Sequence, residues 1–200
     1  MYFLVYIYMK VGEKMNWIES IKKYNPYNEQ EKKAKNIILK CIDIFDNILN
    51  RDNEIAHITS SAFIVNKTRD KVLMIHHNIF NEWSWTGGHA DGEEDLLAVA
   101  IKEAKEEAGI KTIHPVTPDI FSLDILPVHG HIKRGQYICA HTHLSVAYLC
   151  EADENEILTV KIDENSGVKW IPIAEINSCT NESHMLEIYN KIICKSLDIY

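Results

Sequence analysis

Three glutamates, Glu103, Glu106 and Glu107, form the densest concentration of chemically useful side chains in the sequence. Around them Leu96, Leu97, Ala100, Ile101 and Ala104 recur at steps of three and four. That periodicity predicts a helix over Asp95 to Ala108, with Asp95 as its N-cap and Gly109 as its left-handed stop. On such a helix the three carboxylates stand at i, i+3 and i+4 and share one face. Like charges at that spacing destabilise a helix by about 0.2–0.5 kcal/mol per pair, so folding alone explains them poorly. A hard divalent cation held by oxygen ligands explains them better, and Mg2+ or Mn2+ suits such a donor set. A solvated acidic helix face would look the same over this stretch taken by itself.

The wider spacing separates the two readings. Gly88, Glu94, Lys102-Glu103, the apolar Ala104, Glu106-Glu107, Gly109 and the apolar Ile110 follow one another at the intervals of the Nudix box, and here the chain resembles the Nudix hydrolase family. With glycine and glutamate each expected at roughly 7%, the fixed Gly and Glu positions alone would match by chance about once in ten million windows. Two positions depart from the family pattern. Lys102 stands where arginine is usual, which replaces a rigid two-pronged donor by a point charge on a flexible stem, and Thr86 stands where many members place proline.

The resemblance covers roughly Ile55 to Ile176 and implies an α/β/α sandwich with a mixed β-sheet, the domain being taken as residues 55–200; residues 1–54 read as an N-terminal helical extension with no counterpart in the family. It implies that Glu103, Glu106 and Glu107 bind Mg2+ or Mn2+ with the Gly88 carbonyl as a further ligand, and that Glu94 is a supporting carboxylate meeting Lys102. Glu103 or Glu106 is the first choice for the base that deprotonates the attacking water. Asp163 and Glu164 are candidates for a carboxylate supplied from a later loop. His89, next to Gly88, is expected near the metal cleft and in reach of a substrate phosphate. Trp83 and Trp85 could stack a nucleobase, although aromatic strand residues more often pack in a core.

The implied reaction is metal-dependent hydrolysis of a diphosphate linkage in a small nucleoside-diphosphate-linked or related substrate, by a cytoplasmic enzyme, with a homodimer expected only from family habit. Two rivals stand beside it. A non-catalytic nucleotide sensor would use the Lys102 departure, and an isopentenyl-diphosphate-isomerase-like enzyme on the same fold would fit the early AHITSSAFIV segment. Retention of all four box glutamates favours hydrolysis.

These residues need a scaffold, and the pattern along the chain supplies one. Ser60–Asn66 and Lys71–His77 read as two strands of a hairpin, and Trp83–Thr86 as a short strand running into Gly87-Gly88. Further strands are expected at Phe121–Val128, Gly135–Ala140, His143–Glu151 and Val168–Ile171, and a helix over Glu182–Leu197. Before the hairpin, Ala34, Ile37, Ile38, Cys41, Ile42, Phe45, Ile48 and Leu49 predict an amphipathic helix from Asn28 to Arg51, opened by an Asn28–Glu31 capping box and packed on its own domain. Two pairs of alternating histidines, His129/His131 and His141/His143, could meet as a metal site on adjacent strands, though no carboxylate or cysteine pattern completes them.

Composition bounds the partners. With 21 Lys+Arg against 29 Asp+Glu the net charge is −8, which gives no basis for clamping polymeric nucleic acid but leaves small phosphorylated ligands open through a metal. The apolar run Met1–Met9 is far shorter than the roughly 20 residues a membrane span needs, and Met9 and Met15 are alternative starts. Five scattered cysteines with no CxxC pair read as free thiols.

Overall fold

The segment Ala56–Val65 joins β-branched, aromatic and small residues with no charge, a composition suited to a strand covered on both faces. It forms β1, buried at every position. The computed structural model describes residues 16–79, 81–133 and 135–198, so the Met1–Met9 run and the alternative starts lie outside the described residues.

β1 organises the sheet. Along one edge it pairs in parallel with β9 (His141–Ala152), from Ala56↔Thr142 to Val65↔Glu151. Along the other edge it meets two antiparallel strands in succession: β4 (Thr86–His89) opposite Thr59–Ala62, then β2 (Lys71–His77) at Val65↔Val72. β3 (Glu82–Ser84) continues on β2, and Trp85 between β3 and β4 is where the chain changes partner. The sheet runs β10–β2–β1–β9–β5, with β10 at Asn165–Pro172 and β5 at Ile113–Pro115, and β6 (Ser122–Val128) follows β5 along the same edge of β9, opposite β1. A separate ribbon pairs β7 (His131–Lys133) with β8 (Gln136–Ile138).

Alternation along β1 sends its side chains into two cores. Ile58, Ala62 and Ile64 join one that holds Trp17 of α1 (Trp17–Lys23), Ile38 of α2 (Glu29–Ile44) and Leu96, Ala100 and Ala104 of α3 (Leu96–Ala108). Phe63 and Val65 join the other, covered by Ile188, Tyr189 and Ile192 of α4 (Ser183–Leu197) and by the short 3-10 helix Ile173–Ser178. Helices therefore lie on both faces of a mixed sheet, the α/β/α arrangement.

The N-terminal helix is shorter than its periodicity predicts. Asn28 caps it, its side chain accepting from the Glu31 N–H at 2.9 Å, but the helix stops at Ile44 and Phe45 is extended. Ile48 and Leu49 still reach the core, from a turn: the Ile48 and Leu49 carbonyls accept from Ile58 and Gly92 N–H at 2.9 and 3.1 Å. Tertiary hydrogen bonds hold those residues where apolar spacing alone would continue the helix. β1 begins four residues before the expected Ser60, and α1, β5 and β7 were not expected. Each of those three is at most seven residues long, too short for a periodic signal.

Candidate active site

α3 and β4 bring the box together. Asp95 caps α3, accepting from Ala98 N–H at 3.1 Å, and Gly109 ends it at φ +67°. The Ser60 hydroxyl on β1 donates to the Leu96 carbonyl and pins the first turn of the helix to the sheet. The paired glycines then let helix and strand approach. A Cβ on Gly88 would stand 2.5 Å from Cδ of Glu103, and one on Gly87 would stand 2.4 Å from Oγ of Ser61 and 2.8 Å from the Ser60 carbonyl. Any side chain here would displace the carboxylate or the strand backbone.

The three box glutamates have graded environments. Glu107 is buried at 4% exposure; its Oε2 accepts from the Gly87 N–H at 2.9 Å, and it forms no ion pair among the described residues. Burial, with the nearby Glu103 and Glu164 charges adding to it, pushes the Glu107 carboxyl up to about 8. Burial first, then the charge of Glu106, also raises Glu103. Glu106 is outermost, with Lys102 at 3.8 Å and Lys161 at 3.4 Å. Lys161 also holds Glu164 at 3.0 Å, which brings the later carboxylate into the group. Asn165 supports the site from below, its Nδ2 donating to the Glu107 carbonyl at 2.9 Å.

Lys102 does not meet Glu94. Its carboxylate contacts are Glu106 and Glu103, the latter at 3.9 Å, while Glu94 is exposed ahead of the Asp95 cap. Lys102 lies seven residues past that cap, about 10 Å along a helix axis at 1.5 Å per residue. Neither Lys161 nor Asn165 stands out in the sequence, since both sit in an aperiodic segment and only folding sets them against α3.

The box opens onto a cleft of about 650 Å3. On β1 the same-face residues His57, Thr59 and Ser61 line it, and Glu103, Glu107, Asp163 and Glu164 stand along its acidic side. Trp83 is half-buried at its wall, edge-on to His76 with Lys169 Nζ 4.3 Å above its ring. Trp85 is buried and packs edge-on against Tyr189, ring centroids 5.6 Å apart. Both tryptophans line the cleft, and Trp83 is the more exposed of the two.

His89 follows Gly88 into the cleft, where its ring meets those of His57 and His143. Parallel pairing sets His57 opposite His143, and antiparallel pairing sets His89 opposite Thr59, so rings from β1, β4 and β9 converge. The two HxH pairs are set apart, as ordinary strand histidines would be. His131 lies on the β7–β8 ribbon, its ring paired with the His129 carbonyl at 2.9 Å, while His141 and His143 turn toward β1. Burial pushes His89 down to about 3 and His143 to about 2, so both rings are neutral at physiological pH.

The donor set suits a hard cation. Glu103, Glu106 and Glu107 offer carboxylate oxygens beside the Gly88 backbone, Glu107 is buried and Glu103 half-buried, and the lysines are placed toward the outermost one. An acidic, partly desolvated cleft beside a glycine pair, on a sandwich of this topology, defines a class before any comparison is made. The chain belongs to the Nudix family, its residues 56–192 matching the NUDIX domain. Among solved structures it is similar to a C. elegans Ap4A hydrolase, at 16% identity and TM-score 0.51, over 70% of this chain and 99% of that one. It is also similar to RenU, a Nudix hydrolase from M. smegmatis, at 12% identity and TM-score 0.53, over 72% and 88% of the two chains. A third relative is the E. coli dihydroneopterin triphosphate pyrophosphohydrolase, at 14% identity and TM-score 0.50, over 68% and 94%. At such identities the likeness is one of fold. No curated protein matches the sequence.

Proposed function

We propose that the protein hydrolyses a diphosphate linkage in a small nucleoside-diphosphate-linked substrate, using Mg2+ or Mn2+ held by Glu103, Glu106, Glu107 and the Gly88 carbonyl. The observation that carries this reading is Glu107, a buried carboxylate with no ion pair among the described residues, beside the half-buried Glu103 at the floor of an open cleft. A buried carboxylate beside a second, half-buried one is costly unless an ion from solution joins them. Mg2+ or Mn2+ in such a site supplies charge neutralisation at adjacent phosphate oxygens and Lewis-acid activation of water.

The chain's own residues do the rest. Gly87 N–H orients Glu107, and Gly88 leaves room for the Glu103 side chain to lie against β4. Glu103 or Glu106 accepts the proton of the attacking water, with Lys102 and Lys161 stabilising the outer carboxylates. Glu164, held by Lys161, is the carboxylate from the later loop. His89 contributes at the phosphate end and Trp83 at the organic end, and the two lie on β4 and β3 on either side of Trp85. The substrate is small, since a cleft of about 650 Å3 is of nucleotide size and the net charge of −8 disfavours a polyanion. The enzyme is cytoplasmic on this reading.

The test is phosphate or nucleotide release from a panel of nucleoside diphosphate derivatives, with magnesium, with manganese and with chelator. Metal-dependent turnover that disappears in Glu107→Gln supports the assignment. Binding of these compounds by the wild type without turnover would make the protein a sensor.

A further inference from the structure

We propose that His57, His89, His141 and His143 form a second metal site, a nitrogen-donor site for a zinc-type divalent cation, separate from the carboxylate centre. The ligand atoms of His57, His89 and His143 lie within 4.8 Å of one another. The Nε2 atoms of His141 and His143 are 3.3 Å apart. Metal–nitrogen bonds of about 2.0–2.1 Å in a tetrahedral site place neighbouring ligand nitrogens about 3.4 Å apart, so the last pair already has the required spacing and small ring rotations bring in the other two.

The polarity of the rings points the same way. His57 is buried at 3% exposure, and its Nδ1 meets the Asn53 carbonyl at 2.9 Å. That contact assigns the proton to Nδ1 and leaves a lone pair on Nε2, which is buried with no hydrogen-bond partner. An orphaned buried acceptor is costly, and here it faces three more imidazoles at centroid distances of 4.9–5.1 Å. His141 repeats the pattern, with Nδ1 at 2.8 Å from the Cys139 carbonyl and Nε2 turned inward. A ring nitrogen fixed by a backbone carbonyl while the other points at a shared centre is the outer-shell arrangement of metal-ligating histidines.

The donor chemistry separates the two sites. Imidazoles select zinc and its neighbours in the first transition row, whereas the carboxylate face selects magnesium or manganese. A cation bound by the histidines would clamp β1, β4 and β9 together, one residue along β4 from Gly88, and place a fixed positive charge at the end of the cleft.

The test uses the full chain without an affinity tag, stripped with chelator and titrated with Zn2+ and with Co2+. The expected result is one tightly bound zinc per chain, a visible tetrahedral cobalt spectrum, and a zinc-dependent rise in Tm, all retained in Glu107→Gln. His89→Gln and His143→Gln should each weaken zinc binding by more than about 100-fold. Should His143→Gln fail to fold by circular dichroism, His89→Gln on the short strand β4 decides alone. No zinc bound by the wild type overturns the proposal, as does zinc binding lost in Glu107→Gln but kept in His89→Gln. Zinc bound by the histidines without metal-dependent turnover would leave this site standing and remove only the hydrolase reading.

Discussion

The protein gathers carboxylates in two places, and they are managed in opposite ways. At one end of the sheet Glu31 of α2 and Asp124 of β6 are both fully buried, and α4 sends in Lys191 and Lys195. Lys191 stands 3.2 Å from Glu31 and 2.6 Å from Asp124, and Lys195 stands 3.2 Å from Glu31. Gln30 and Ser122 donate to Asp124 at 3.0 and 2.6 Å, and the Tyr27 N–H donates to Glu31 at 2.7 Å. Burial alone would raise Glu31, but the Tyr24 hydroxyl, the Tyr27 amide and the two ammonium groups outweigh it and hold that carboxyl below its ordinary range. At α3 the balance is reversed. Glu107 has one backbone donor, and burial drives its carboxyl upward. Within one fold, two negative charges met by two positive ones tie helices together, and carboxylates left short of counter-charge mark the place prepared for a cation from outside.

Breaking the satisfied cluster should have the largest effect. Lys191→Met leaves Glu31 and Asp124 buried with too little positive charge, and urea denaturation should report a loss of about 3–5 kcal/mol, with turnover by the remaining folded protein unchanged. Breaking the unsatisfied cluster should do the converse. Glu107→Gln removes a buried charge yet keeps an acceptor for Gly87, so stability should hold or rise. Turnover should fall by about 10²- to 10³-fold, the effect of withdrawing several kcal/mol of transition-state stabilisation.

A third experiment contrasts the two by pH. The folded-state carboxyl of Glu107 lies at about 8, above its ordinary 4.5, so between those values the folded chain holds a proton that the unfolded chain has lost. The contribution is therefore fully present below the unfolded value and declines as pH rises toward 8, by at most about 1.4 kcal/mol per pH unit. Melting of chelator-treated wild type from pH 5 to 8 should show this decline, and Glu107→Gln should lack it. Glu31 has the opposite sign, its stabilisation being present above its ordinary range and lost as the protein is acidified. The smallest effect is expected for Lys102→Arg, which keeps the charge beside Glu103 and Glu106 and should leave turnover equal or a few-fold higher. A collapse of activity would mean that the surroundings have adapted to lysine.

The carboxylate face was legible because it is local. Asp95 as cap, Gly109 as stop and the i, i+3, i+4 glutamates are all features of one helix, and a helix of thirteen residues announces its own period. The strands around it were legible where alternation or apolar runs were long. What escaped depends on register. His141 and His143 can be seen to share a strand face, but that His57 and His89 join them follows from pairing between segments far apart in the chain. Lys161 and Asn165 sit in an aperiodic stretch, and their approach to Glu106 and Glu107 comes from the docking of β10 on β2. The early end of α2 has the same origin, since the hydrogen bonds that hold Ile48 and Leu49 run to residues beyond the helix.

β1 makes its principal partnership with a strand that the ribosome has not yet produced when β1 emerges. Ala56 pairs with residues around Thr142, and 142 − 56 is 86 positions of intervening chain. During synthesis α3 can coil and present its glutamates as soon as Gly109 is out, but the wall of the cleft at β9 must wait for residues His141–Ala152. Until then the nascent chain holds an acidic helix with no pocket, and a strand of ten residues with an unpaired edge. Competence for substrate therefore arrives late, after that parallel seam has closed and Lys161, Glu164 and Asn165 have followed it into place.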